Sequence, residues 1–276
     1  MTNRNDNTLV APSEPVQQNT KPHNGLFDFV NPTAFVDLPS KGQFYNDEHP
    51  LKNKDSIEIK YMTAKDEDTL SSESYLKKGV AIDRFLENII VDDKITPEGL
   101  VIADKNAIII EARILAYGNL YESKISCPSC EKIQLFEFNL NDKFVYHGDD
   151  SDIYEFNEKG NLLIQLPESN VILEVKILTG KEEKQFIKKI SSNKKNTSKL
   201  SDQYKMMIVS ANGVNDEGLI NKFIDLMPVA DSKFLRGVYS EVAPTIKIID
   251  NFACHSCGHE QELEVPFGAD FLWPRT

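Results

Sequence analysis

The chain has 276 residues, 40% of them hydrophobic and 27% charged, and carries a formal net charge of −12. It is long enough to bury a substantial core, while its longest apolar runs, such as AIII at 107–110, fall far short of the roughly 18 residues of a membrane span, and the first twenty residues lack the apolar stretch of a secretory signal. So acidic a chain repels a phosphate backbone on average, and the one dense basic stretch, 188–200, reads as a solvated, mobile connection between helices.

Residues 1–35 are rich in Asn, Thr, Pro and Gln and poor in branched apolar residues. They cannot bury enough surface to offset the entropy of ordering, so a disordered N-terminal arm is expected there. An apolar cluster, GLFDFVNPTAFVDLP at 25–39, overlaps its end, and Phe27, Phe29, Phe35 and Val36 are expected to dock on the protein's own body. IEIKYMTAKDEDTL at 57–70 then begins as an alternating strand and sets Thr63 three residues ahead of Asp66, a capping-box helix start. The acids at 65–74 are read as a favourable first turn with a solvated face beyond, not as a cation site.

Residues 71–90 place Val80, Ile82, Phe85, Leu86, Ile89 and Ile90 at helical spacing, with Gly79 as a break. Asp104 is the expected N-cap of the next helix. LYESKIS and KIQLFEFNL alternate on either side of Cys127 and Cys130, the pattern of two strands with a CxxC at the tip of their hairpin. HGDDSD at 147–152 lacks the Gly and distal Glu of a calcium loop and marks a boundary near 150, after which 161–178 predicts a hairpin turning at PESN.

The same order then returns. LEVKILTGKEEKQF at 173–186 repeats the strand and sets Thr179 ahead of Glu182, 116 residues after Thr63 and Asp66. Asp231 stands 127 residues after Asp104, and Cys254 and Cys257 follow Cys127 and Cys130 by the same 127. The fold class is therefore α+β, an internal duplication of a strand, helices, strand, CxxC, strand unit, with a first repeat at 36–150 and a second at 151–276. Its extra residues are expected around 188–200.

These are the chain's only four cysteines. One CxxC hairpin supplies two thiolates where structural zinc takes four ligands, so a pseudo-two-fold arrangement that brings the tips together makes Cys127, Cys130, Cys254 and Cys257 one structural zinc site. Two other arrangements compete. A redox CxxC normally sits at a helix start rather than in a hairpin. Two separate sites would need extra ligands, and His255 and His259 beside the second pair read as exposed turn residues, with only His147 near the first. A site filled by four protein ligands has no open position for substrate, and no phosphate loop, HExxH or GxSxG accompanies it. The sequence therefore predicts no enzyme. A zinc-ribbon nucleic-acid-binding or transcription-related protein is the alternative, opposed by the acid-rich flanks EKIQLFEFNLND and GHEQELEVPFGAD. The lone Trp273, in FLWPRT, is expected to pack against the second knuckle.

FVDLPSKGQFYNDEHPL at 35–51, IEIKYMTAKDEDTL, YLKKGVAIDRFLENII and DKNAIIIEARILAYG together resemble baseplate hub and hub assembly proteins of contractile-tailed phages of the T-even type, most densely over 36–140. The resemblance implies a protein that acts by association with other baseplate hub or tail proteins, the tail length-determining protein among them, without nucleic acid or membrane. It would work in the host cytoplasm during assembly or in the virion, and the family carries over no catalytic residues.

Overall fold

The computed structural model describes residues 31–148, 154–192, 199–265, 267 and 269–272. Phe27, Phe29, residues 149–152 of HGDDSD, residues 193–198 of the basic stretch and Trp273 lie outside these residues. The alternating start forms β1 (Thr33–Asp37) and β2 (Ser56–Lys60), antiparallel, with Val36 opposite Ile57 and both buried. β1 thus begins inside the stretch assigned to the arm, and of its two cluster residues Val36 packs inwards while Phe35 is exposed.

Thr63 closes the expected capping box, its N–H and hydroxyl both donating to Asp66 at 2.9 and 2.7 Å. It starts α1 (Ala64–Ser71), followed by α2 (Glu73–Lys78) and α3 (Ala81–Ile89). Gly79 separates the last two at a φ of 66°, a left-handed turn that glycine adopts without steric cost. Of the acids in the 65–74 run, Asp66 caps and Glu67 accepts from Tyr117 at 2.6 Å, as a structural reading requires. A 3-10 turn at Pro97–Gly99 leads to α4 (Ile102–Tyr117), whose Ile108, Ile109 and Ile110 are all buried, so this helix is enclosed rather than amphipathic.

β3 (Leu120–Ser126) and β4 (Ile133–Asn139) form the first CxxC hairpin, and β5 (Lys143–Tyr146) follows. β6 (Glu155–Phe156), β7 (Leu162–Gln165) and β8 (Ile172–Val175) make a meander that turns at PESN, where the Leu166 N–H reaches the Val171 carbonyl at 2.9 Å. α5 (Gly180–Ser192) and α6 (Lys199–Met207) run into the basic stretch from both sides, and β9 (Ile208–Ala211) completes a sheet ordered β6-β7-β8-β9. α7 (Glu217–Leu226), α8 (Val229–Val242), the second CxxC hairpin of β10 (Thr245–Ala253) and β11 (Glu260–Glu264), and α9 (Ala269–Leu272) end the described chain.

Neither Asp104 nor Asp231 is an N-cap. Val101 and Pro228 hold those positions, and both aspartates lie in the first turn, fully buried. Each reaches a distant loop instead, which the local pattern does not show. Ile59 bridges to Ile90 and Val175 to Ile208, spacings of 31 and 33 residues. Ile90 precedes the start of α4 by 12 residues, and Ile208 precedes that of α8 by 21.

The two stretches interlock. β5 pairs with β10, Val145 opposite Ile246, giving a sheet ordered β11-β10-β5. Val101 bridges to Thr179, supported by Gly180 N–H to Leu100 at 2.9 Å. Glycine is needed there because a Cβ would lie 2.6 Å from the Pro97 carbonyl oxygen. Phe271 packs on Tyr121 at 5.1 Å, and its carbonyl accepts from Arg113 Nε at 3.2 Å. One apolar core runs through these contacts, with a small satellite beneath the CxxC hairpins.

Candidate metal centre between two hairpins

Both CxxC tips fold on the same backbone bonds. The Cys127 N–H donates to Lys132 and the Glu131 N–H to Cys127, at 3.0 and 2.8 Å; the Cys254 N–H donates to His259 and the Gly258 N–H to Cys254, at 2.8 and 2.9 Å. The residue after each second cysteine is left-handed, Glu131 at φ 58° and Gly258 at φ 71°. These turns aim all four sulfurs at one point. Cys127 Sγ lies 3.7 Å from Cys257 Sγ, Cys130 Sγ lies 3.7 Å from Cys254 Sγ, and all four fall within 4.8 Å of one another. A tetrahedral thiolate site with bonds of about 2.3 Å has edges of roughly 3.8 Å, so the donor set fits such an ion.

The surroundings fix this geometry. Cys127 and Cys254 are buried, Cys130 is half-buried and Cys257 exposed. Beneath them Phe136 and Phe252 meet edge to face at 5.7 Å, with Ile125 and Leu263 alongside. Gln134 ties one hairpin to the other: its Nε2 donates to the Ala253 carbonyl at 3.1 Å and its Oε1 accepts from the His255 N–H at 3.0 Å. The N–H groups of Ser256 and Cys257 lower the Cys254 thiol to about 6. The Lys132 N–H pulls Cys130 down as well, but burial and hydrogen bonds with the other three thiols hold it up at about 11. A cation at the centre would favour thiolates at all four.

The structure thus brings together every cysteine singled out from the sequence. It leaves the histidines outside: His255 is exposed, His259 half-buried, and His147 Nδ1 lies 3.0 Å from the Pro39 carbonyl. Among the described residues the four cysteines are the one such cluster of potential ligands. The roles of Gln134, Phe136 and Phe252 were not foreseen; the inward positions of Phe136 and Phe252 in alternating strands were a signal for the aromatics, and nothing in the pattern marks Gln134.

A second site lies where the LPSKGQFY stretch meets α4. Asp104 accepts from the Ser40 N–H at 2.9 Å and from the Ser40 and Tyr45 hydroxyls, and Tyr45 in turn accepts from the Val101 N–H at 3.1 Å. Gly42 lets this loop close, since a Cβ there would lie 2.3 Å from the Leu51 carbonyl oxygen. Burial raises the Asp104 pKa despite the hydrogen bonds from Ser40 and Tyr45. Asp231 accepts from the N–H groups of Glu168 and Ser169 at 2.8 and 3.0 Å, and although burial opposes them these donors hold its pKa below the ordinary value. Both carboxylates are occupied in anchoring loops.

Mixed helices and small sheets whose two CxxC hairpins meet at one four-cysteine centre define an α+β protein with a candidate metal centre. The chain belongs to the T4 bacteriophage base plate protein family, whose model matches residues 32–273. It is thus a phage baseplate component. Comparisons with curated proteins and with solved structures gave no match. Among the described residues no helix is long and apolar enough to cross a membrane.

Proposed function

We propose that the chain is a non-enzymatic component of the baseplate hub, or a factor in its assembly, whose two halves are stapled by one structural zinc ion held by Cys127, Cys130, Cys254 and Cys257. The convergence of the four sulfurs within 4.8 Å carries this reading. With four protein ligands the ion would have no open position for water or substrate, so its work is mechanical. Apparent zinc-binding energies in small structural peptides reach roughly 10–16 kcal/mol, enough to clamp one hairpin against the other.

Several pairs of features support an internal duplication over 36–150 and 151–276. Capping boxes follow β2 and β8, a buried aspartate holds a loop at the start of α4 and of α8, and each of these helices leads into a CxxC hairpin. Exchanging the two cysteine pairs turns the Cys127–Cys257 contact into Cys254–Cys130, as a pseudo-two-fold axis through the centre would. The outward side of β11 bears Glu260, Glu262 and Glu264, all exposed, which opposes the nucleic-acid alternative. Partners are then other hub or tail proteins, including the tail length-determining protein, met in the host cytoplasm during assembly.

Metal analysis of the purified chain should find one zinc per chain; two or none would refute the staple. Phage deprived of this chain should stop short of complete baseplates, and infectious particles made without it would refute the assembly role. Its presence in purified tails would mark a resident hub part, its absence an assembly factor.

A further inference from the structure

A cavity of about 470 Å³ opens where α6, α8 and the start of β10 meet. Its volume suits a small organic group. Tyr204 and Met207 of α6, Tyr239 of α8 and Pro244 just before β10 give it an apolar wall, with Tyr204, Met207 and Pro244 themselves buried. Its only charged lining residues among those described are two cations, Arg236 and Lys247, on a chain whose net charge is −12.

Two hydroxyls fix the plane of the Arg236 guanidinium. Its Nη1 donates to Tyr204 at 2.8 Å and to Ser232 at 3.0 Å, which uses both protons of that nitrogen. Nε and Nη2 carry the two parallel N–H bonds that grip a carboxylate at two points. Among the described residues neither has an acceptor, and no carboxylate pairs with Arg236. Lys247 is engaged, though loosely: Glu264, outside the lining, lies 3.6 Å from its Nζ, and the two side chains are 42% and 51% exposed. The two cations and this one carboxylate leave a single positive charge at the cavity. One carboxylate balances it, whereas a phosphate dianion would exceed it and meet Glu264.

We infer that the cavity binds a monocarboxylate carried on a small apolar body. The carboxylate lies along the Nε–Nη2 edge of Arg236 with Lys247 beside it, and the body packs on Met207, Tyr239 and Pro244. Free organic acids carry this group, as does the C-terminal end of a peptide with an apolar last residue. The site shares no residue with the four-cysteine centre, and the inference does not rest on the hub reading.

Calorimetric titration of the full chain with hydrocinnamate, a free acid, and with the tripeptide Gly-Gly-Phe, a chain end, tests it. At least one should bind saturably with a Kd of about 1 mM or tighter, and the tighter of the two identifies the source. The amide of that probe, of the same shape but uncharged, should bind at least about tenfold more weakly. Arg236→Gln should weaken the acid by at least about tenfold, and Arg236→Lys, which keeps the charge but loses the fork, by about fivefold. Lys247→Gln leaves the contacts of Arg236 with Tyr204 and Ser232 in place and should weaken it by about two- to fivefold. Unchanged circular dichroism will show that the variants fold. Saturable binding of neither probe would overturn the inference, as would equal binding of acid and amide, an affinity that survives Arg236→Gln, or displacement of the acid by equimolar inorganic phosphate.

Discussion

The two CxxC hairpins make the same backbone turn with different residues: the first places Glu131 in the left-handed region, the second Gly258. A side chain there costs roughly 1–2 kcal/mol that glycine does not incur, so the first hairpin holds its sulfurs against a strain absent from the second. The buried aspartates differ in a parallel way. Asp231 faces two backbone N–H groups, Asp104 one N–H and two hydroxyls, and their pKa values move in opposite directions. Backbone donors cannot reorient, whereas hydroxyls can turn to accept, so one arrangement demands a charged carboxylate and the other tolerates a neutral group.

The largest test is removal of the shared centre. Cys127→Ser, or chelation of the wild type, should lower Tm by roughly 10 °C or more and open the contact between hairpins to protease. Equal protease resistance with and without the substitution would count against the staple and leave the hairpins independent.

The aspartates give the next effect. Asp231→Asn sets an amide NH2 against a backbone N–H and should cost about 1–3 kcal/mol in urea unfolding at pH 7. Asp104→Asn should cost under about 1 kcal/mol, because the hydroxyls of Ser40 and Tyr45 can adapt and a buried charge is removed. The gap should narrow in acid. The lowered pKa of Asp231 gives stability that is present above the unfolded value of about 3.9 and lost as pH falls through the folded one. The raised pKa of Asp104 acts oppositely, stability falling as pH rises from about 3.9 through the folded value. Equal costs at pH 7 would erase the distinction between the two sites.

The turns themselves come third. Gly258→Ala should destabilise by about 1 kcal/mol, and Glu131→Gly should stabilise by a few tenths up to about 1 kcal/mol. A loss from Glu131→Gly would show that its side chain contributes something the backbone comparison misses. The smallest expected change is that of Gln134→Ala, about 0.5–1 kcal/mol for two partly exposed hydrogen bonds, with the four-thiol centre kept; loss of metal binding in this variant would make Gln134 part of the centre's support rather than a strut between hairpins.

What the sequence made legible was local. Thr63 with Asp66 and Thr179 with Glu182 were readable because a capping box spans three residues, and the cysteine pairs because two CxxC motifs together supply the four thiolates of one structural metal site. Asp104 and Asp231 were misplaced because their residue type suits a cap, while the partners that decide their position lie 64 residues away for Ser40 and 63 for Glu168. Gln134 reaches across 119 residues to Ala253, and Arg113 across 158 to Phe271. No periodicity announces such contacts. The basic stretch 188–200 was read as a connection from its composition, whereas α5 continues to Ser192 and α6 begins at Lys199.

The pairing of β5 with β10 bears on how the protein is made. Residues 143–146 leave the ribosome about a hundred residues before the strand that completes their sheet, an interval of roughly 5–20 s at ordinary translation rates. Throughout that time Phe144 and Val145 sit on an open strand edge, the kind of template that other nascent chains can join. The first CxxC likewise waits for its second pair of sulfurs, so the contact between the two hairpins can form only after most of the polypeptide has been synthesised.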